Sequence, residues 1–188
     1  MIVTISGDPG SGKSTVAEIL ANKFEAERVY AGGIFREMAK EKGMALEEFL
    51  KYTENHPEIH RQVDERIREK ALEIDQEGLT AIVEGRVHFH FLPKSFKIFL
   101  KVSLDEAARR IWKDLNNKEA SLSRNEEAVS SLQELKKKIK QRIKTDQERY
   151  KELYHIDILD ESQFDLVIDT TNLTPDRVIQ EILDNFPL

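Results

Sequence analysis

Gly7-Asp8-Pro9-Gly10-Ser11-Gly12-Lys13-Ser14 follows the spacing G-x-x-x-x-G-K-[ST], and each fixed position meets a requirement for holding a polyphosphate. Glycines let the backbone fold tightly enough for successive N–H groups to point inward at phosphate oxygens, and a helix starting near Lys13 adds the positive end of its dipole. Lys13 reaches the β- and γ-phosphates, while Ser14 offers a hydroxyl oxygen to Mg²⁺. The expected triphosphate site is therefore Gly7, Asp8, Pro9, Gly10, Ser11, Gly12, Lys13, Ser14 and Thr15.

Further cations follow at positions where the chain leaves apolar runs. Arg36 comes one helical turn after Tyr30-Ala31, and Arg86 stands directly after Val83-Glu84-Gly85. Two such arginines suit a second anionic group, because a planar guanidinium grips a phosphate with two charge-assisted bonds; the alternative for each is a surface ion pair. Arg142, Asp146 and Arg149 are spaced four and three apart, which puts them on one helix face, where two arginines can meet a transferring phosphoryl group and Asp146 can orient them or accept from a ribose hydroxyl. A solvated face with i,i+4 pairs is the competing reading of that charged helix. Glu84 is placed either to hold a water on Mg²⁺ or to cap its loop.

The elements that must position these groups are legible in the hydrophobic pattern. Met1–Ser6, Arg28–Ala31, Leu79–Val83, Phe96–Val102 and Phe164–Asp169 read as strands, and the first is apolar enough to be buried on both faces. Between them, Val16, Ile19, Leu20 and Phe24, then Ile34, Phe35, Met38 and Ala39, step at helical spacing. Residues 44–57 are polar with scattered apolar positions. From Pro57 the series Ile59, Val63, Ile67, Ala71 and Ile74 predicts one amphipathic helix ending at Gly78. Helices are also predicted over 104–115, along Val129, Leu132, Leu135, Ile139 and Ile143, and over 174–186 behind a Thr174-Pro175 cap. Residues 113–127 lack apolar periodicity and read as an exposed lid. Strands alternating with helices predict a three-layer α/β/α fold around a five-stranded parallel sheet, whose ligands bind at the carboxyl ends of the strands. The loops at Gly7, Gly32 and Gly85 should then converge on one crevice.

Composition narrows the class. The 188 residues carry 29 Lys and Arg against 35 Asp and Glu, a net charge of −6. This disfavours general affinity for nucleic acid. With no cysteine there is no thiolate chemistry and no disulfide frame. The apolar runs are too short for a membrane span, so a soluble cytoplasmic protein of one domain, residues 1–188, is expected.

The combination of Ile5-Ser-Gly-Asp-Pro-Gly-Ser-Gly-Lys-Ser-Thr15, Ala31-Gly-Gly-Ile-Phe-Arg-Glu-Met38, Glu84-Gly-Arg86, Arg149-Tyr-Lys-Glu-Leu-Tyr154 with Ile156-Asp157, and Asp165-Leu-Val-Ile-Asp-Thr170 resembles the short, archaeal-like cytidylate kinases, a branch of the P-loop nucleoside monophosphate kinases. The resemblance covers nearly the whole chain. It implies transfer of the γ-phosphate of Mg·ATP to CMP or dCMP, with acceptor-binding helices over about 36–77 and a lid over about 113–127. It further implies that Arg36 and Arg86 hold the acceptor phosphate, that Arg142 and Arg149 act with Lys13 from the lid side, that Asp146 lies near the ribose, and that Arg61 and Asp64 belong to the acceptor site. A monomer is the family's expectation. Larger bacterial relatives carry an Asp after the Gly-Arg pair and a Ser before the Gly of the second motif, where Val87 and Ala31 stand here, so other groups must read the base. The alternatives are a kinase for another nucleotide, UMP or AMP, and a P-loop ATPase or switch linked to nucleic acid through the Lys136–Lys144 stripe. His88 and His90 have H-x-H spacing but no third ligand nearby in sequence, and are read as ordinary polar histidines.

Overall fold

The computed structural model describes residues 1–56, 58–116 and 129–187. Five strands, β1 (Ile2–Gly7), β2 (Glu27–Tyr30), β3 (Ala81–Glu84), β4 (Phe96–Lys101) and β5 (Leu166–Asp169), form one sheet in the order β2-β3-β1-β4-β5. Every pairing is parallel, as crossovers through helices require. The central strand β1 is buried along its whole length, which accounts for its unbroken apolar and small-polar sequence.

Side chains alternate across the sheet, and two cores result. Ile2, Val29, Ala81 and Val83 face α2 (Ala31–Glu41), α3 (Leu46–Glu54) and α4 (Glu58–Gln76). Val3, Ile5, Ile82, Ile98 and Leu100 face α1 (Lys13–Lys23) and α8 (Pro175–Asp184). The predicted stripe of α4 is the buried one, Ile59, Val63, Ile67, Ala71 and Ile74. A third cluster joins α6 (Leu104–Leu115) to α7 (Leu132–Tyr154) through Ala108, Ile111, Leu135 and Ile139. A short helix, α5 (His88–Phe91), follows β3.

Helix starts carry their chemistry locally. Ser103, Ser131 and Thr174 each accept a hydrogen bond from the backbone N–H three residues on, at the heads of α6, α7 and α8, satisfying donors that the helix cannot pair itself.

Two expected element starts shift, and the polar stretch 44–57 holds a helix. Within 44–57 lies α3, where Leu46, Phe49 and Leu50 step at helical spacing and Phe49 is fully buried in the core that also holds Ile34, Met38 and Ile67. Strand β3 starts two residues later than expected, with Leu79 half exposed. The long helix begins at Leu132, fixed by the Ser131 cap, and not near Val129. Pro57 and residues 117–127 of the expected lid lie outside the described residues, while 113–115 are the last turn of α6. Among the described residues, no helix is long and apolar enough to cross a membrane.

Phe49 is the apolar anchor of α3, so Phe49→Ala should remove about 3–5 kcal/mol of stability in urea unfolding. A loss below about 1 kcal/mol would contradict the packing described.

Candidate active site

The strand order sets β2, β3 and β1 side by side and parallel, so the loops after Tyr30, Glu84 and Gly7 leave the same edge of the sheet. Gly7 has φ +143°, and a Cβ there would lie 2.2 Å from the Leu100 carbonyl oxygen; only glycine lets the chain turn this close to β4. The loop is then pinned from several sides. The Asp8 N–H donates to Leu100 O at 3.0 Å, and Asp8 Oδ2 accepts from the Val102 N–H at 3.1 Å. The buried Thr170 hydroxyl, at the end of β5, sits 3.1 Å from the Ser11 carbonyl. Arg110 of α6 donates to the carbonyls of Thr170 at 2.6 Å and Gly10 at 3.4 Å.

Lys13 opens α1 and folds over this loop, its Nζ donating to the carbonyls of Gly7 at 2.8 Å and Asp8 at 2.7 Å. Burial, reinforced by the nearby Arg86 guanidinium, pulls its ammonium down to about 7. Burial also raises the Asp8 carboxyl above its ordinary range. Ser14 Oγ donates to Glu84 Oε1 at 2.5 Å. A hydroxyl and a carboxylate are the hard oxygen donors that Mg²⁺ prefers, so the residues present fit that ion. Thr15 is exposed on the first turn of α1.

The second cluster lies across a crevice lined by Gly7, Asp8, Pro9, Arg86, Ile143 and Asp146. Asp146 is buried, 7% exposed, and its carboxylate joins Arg86 through Oδ2 and Arg149 through Oδ1, the latter at 3.0 Å. Arg149 also donates to the Tyr150 hydroxyl at 3.2 Å. Burial pulls the Arg86 guanidinium down to about 10, with Arg142 and Arg149 adding repulsion, and Arg142 also acts on Lys13. The helix face carrying Arg142, Asp146 and Arg149 is thus turned to the phosphate loop. Its lysines follow the solvated alternative: Lys136, Lys138 and Lys144 pair with Asp105, Glu134 and Glu148.

The remaining expected residues are distributed around this centre. Arg36 is exposed midway along α2 and bonds locally, Nη1 donating to the Tyr30 hydroxyl at 2.9 Å and to Gly32 O at 3.0 Å. Asp64 of α4 accepts from the Tyr154 hydroxyl at 2.9 Å, and its Oδ1 is 3.3 Å from Nε2 of the buried His88. Arg61 is exposed one turn earlier and lies within electrostatic reach of Tyr154. Among the described residues no group of three His, Cys, Asp or Glu side chains could hold a metal.

Sequence reasoning missed several participants. His88 packs so tightly on Gly85 that a Cβ there would lie 1.9 Å from Nδ1, which holds the turn immediately before Arg86. Tyr154 is visible in sequence only within the Arg149–Tyr154 motif, and Arg110 only as one charge of the helix over 104–115. Arg28 pairs with Glu84 at 2.5 Å; a charged residue inside a predicted strand was the available signal.

Comparisons with known proteins agree with this geometry. A family profile described as an AAA domain matches residues 3–130. The cytidylate kinase of Methanocaldococcus jannaschii is 38% identical over 194 residues, covering 98% of this chain and 98% of the relative. That of Thermococcus kodakarensis is 40% identical over 179 residues, covering 95% and 83%. Among solved structures, shikimate kinase from Bacteroides thetaiotaomicron superposes with a TM-score of 0.60 at 16% identity over 100% of this chain and 99% of that one. Shikimate kinase from Acinetobacter baumannii does so at 0.58 and 17% over 97% and 90%; both show the fold alone. Near-complete coverage at such identity, on a parallel sheet carrying a phosphate loop, places this chain in the cytidylate kinase family.

Proposed function

We propose that this chain transfers the γ-phosphoryl group of ATP to CMP or dCMP, giving ADP and CDP or dCDP. The observation that carries the reading is one crevice lined both by the phosphate loop and by the Arg86–Asp146 pair. Lys13 folds over the loop, and Arg86 and Arg149 flank Asp146, so cations are available to two phosphate groups. The relatives named cytidylate kinase supply the acceptor. The reading covers one catalytic domain acting as a cytoplasmic monomer, with acceptor-side helices over about 36–77.

In the reaction an oxygen of the acceptor phosphate forms a bond to the γ-phosphorus as the bond from that phosphorus to the β–γ bridging oxygen breaks. The nucleophile is already ionised, so no general base is needed, and the protein's contribution is positioning and charge stabilisation. The loop amides from Gly7 to Thr15 cradle the donor phosphates, and Lys13 leaves its carbonyl partners for the β- and γ-oxygens. Arg86, joined by Arg36, holds the acceptor phosphate. Arg142 and Arg149 stabilise charge on the migrating group. Asp146 orients Arg86 and Arg149 and is placed to accept from a ribose hydroxyl. Asp64 and Arg61 bound the acceptor side on α4. Ser14 and Glu84, through a water, would hold Mg²⁺, whose charge offsets that of the β- and γ-phosphates when bound.

Two measurements test this reading. Nucleotide consumption with Mg·ATP and a panel of CMP, dCMP, UMP, AMP, GMP and dTMP should show selective turnover of CMP and dCMP. Turnover of a different nucleotide alone, or acceptor-independent hydrolysis, would overturn it. The second follows from the lowered Lys13 ammonium. At pH 8 the free protein carries this lysine partly neutral, whereas phosphate charge beside it favours the protonated form, so ATP binding should take up protons. Calorimetry in buffers of different ionisation enthalpy should detect this uptake in the wild type and not in Lys13→Arg, which stays charged. Equal uptake in both would remove Lys13 from phosphate contact.

A further inference from the structure

Glu84 does not stand alone behind Ser14. Val29 belongs to the core on the α2–α4 side, so its neighbours Arg28 and Tyr30 project from the opposite face of β2, the side of Ile82 and Glu84 and of helix α1. The register pairs Arg28 with Ile82 and Tyr30 with Glu84, which makes Arg28 reach forward along the strands to meet the carboxylate. It does so with Nη2 2.5 Å from Glu84 Oε2, while Oε1 takes the Ser14 hydroxyl at 2.5 Å. The two carboxylate oxygens are divided between a fixed cation and the donor site.

Several features separate this pair from an incidental strand-edge ion pair. The Arg28 and Glu84 side chains are only 24% and 13% exposed, so both are largely withdrawn from water. Arg28 Nε is buried without a hydrogen-bond partner, a penalty that a cation free to point outward would avoid. The guanidinium is also stacked, its centre 4.4 Å from the Tyr30 ring centroid, and a planar group so stacked has its orientation set. The Tyr30 hydroxyl in turn accepts from Arg36 at 2.9 Å. Glu84 acts electrostatically on Lys13, so an unrestrained Glu84 has a competing partner in the lysine that must meet phosphate.

We propose that Arg28 is a positioning residue of the donor site, fixing Glu84 so that one carboxylate oxygen is kept for Ser14 and the Mg²⁺ that accompanies ATP. The proposal rests on the reading of the loop as an ATP site and adds a residue that the loop pattern does not contain.

The test is an equilibrium titration of a fluorescent ATP analogue on the full chain, in EDTA and across a Mg²⁺ series, without CMP. Arg28→Met should bind the analogue in EDTA within about twofold of wild type but need at least about tenfold more Mg²⁺ for half-saturation, the scale of loss when a group orienting a metal ligand is removed. Arg28→Lys, which keeps the charge without the planar fork, should lie between the two. An unchanged Mg²⁺ requirement in Arg28→Met overturns the proposal. So does an affinity that falls equally in EDTA and Mg²⁺, since Arg28 would then support the fold alone. If Arg28→Met does not fold, Arg28→Lys decides by the same criterion: a raised Mg²⁺ requirement supports the role and an unchanged one overturns it. A wild-type chain that binds no analogue in either condition fails the ATP-site reading itself and takes this proposal with it.

Discussion

Asp146 supplies the negative charge that lets the cations of this site share one crevice. Arg86 and Arg142 act electrostatically on Lys13, and Arg142 and Arg149 on Arg86; two like charges 4 Å apart repel by about 4 kcal/mol at an effective dielectric of 20. Burial worsens the problem, because it removes the water that would otherwise screen them. A carboxylate bonded to Arg86 through one oxygen and to Arg149 through the other offsets the repulsion and sets the direction of both guanidinium groups. Breaking such a buried arrangement by removing one partner is far more damaging than losing a surface pair.

The rest of the fold can be understood as what brings that carboxylate to Arg86. Asp146 lies on α7, far in sequence from the strand that ends before Arg86, and α7 is held by the apolar seam with α6 and by the cluster of Val87, Phe89, Ile156 and Ile158. The phosphate loop meets the pair because β3 and β1 are adjacent and parallel. Arg110, Thr170 and Asp8 then fix the loop to α6, β5 and the end of β4. On the other flank, Arg28 and Tyr30 reach from β2 to Glu84 and Arg36. The site is therefore a seam between neighbouring strand ends, closed from above by one long helix.

The legible parts of this arrangement were those set by local physics. The phosphate loop, the stripe of α4 and the Thr174-Pro175 start each depend on residues within a few positions of one another, and the structure shows all three. The face of Arg142, Asp146 and Arg149 was visible as a spacing, yet spacing alone left open whether it met solvent or the site. Burial of Asp146 answers that for the carboxylate. What was not legible depends on long-range contact. Helix α3 hangs on Phe49, buried in one core with residues of α2 and α4, and the brief spacing of Leu46, Phe49 and Leu50 spans too few residues to announce that long-range contact. Asp64 is bonded to Tyr154, 90 residues away. The local partners of Arg36, the Tyr30 hydroxyl and the Gly32 carbonyl, were not legible either, because they depend on how the chain turns from β2 into α2.

The most direct test of the central claim is to remove the charge of Asp146 while keeping its shape. For Asp146→Asn, steady-state kinetics with saturating Mg·ATP should show kcat/KM for CMP reduced by at least about 100-fold, while the KM for ATP stays within about threefold of wild type. A variant that keeps kcat/KM for CMP within about threefold of wild type would show that the arginines are organised without this carboxylate, and would contradict the account.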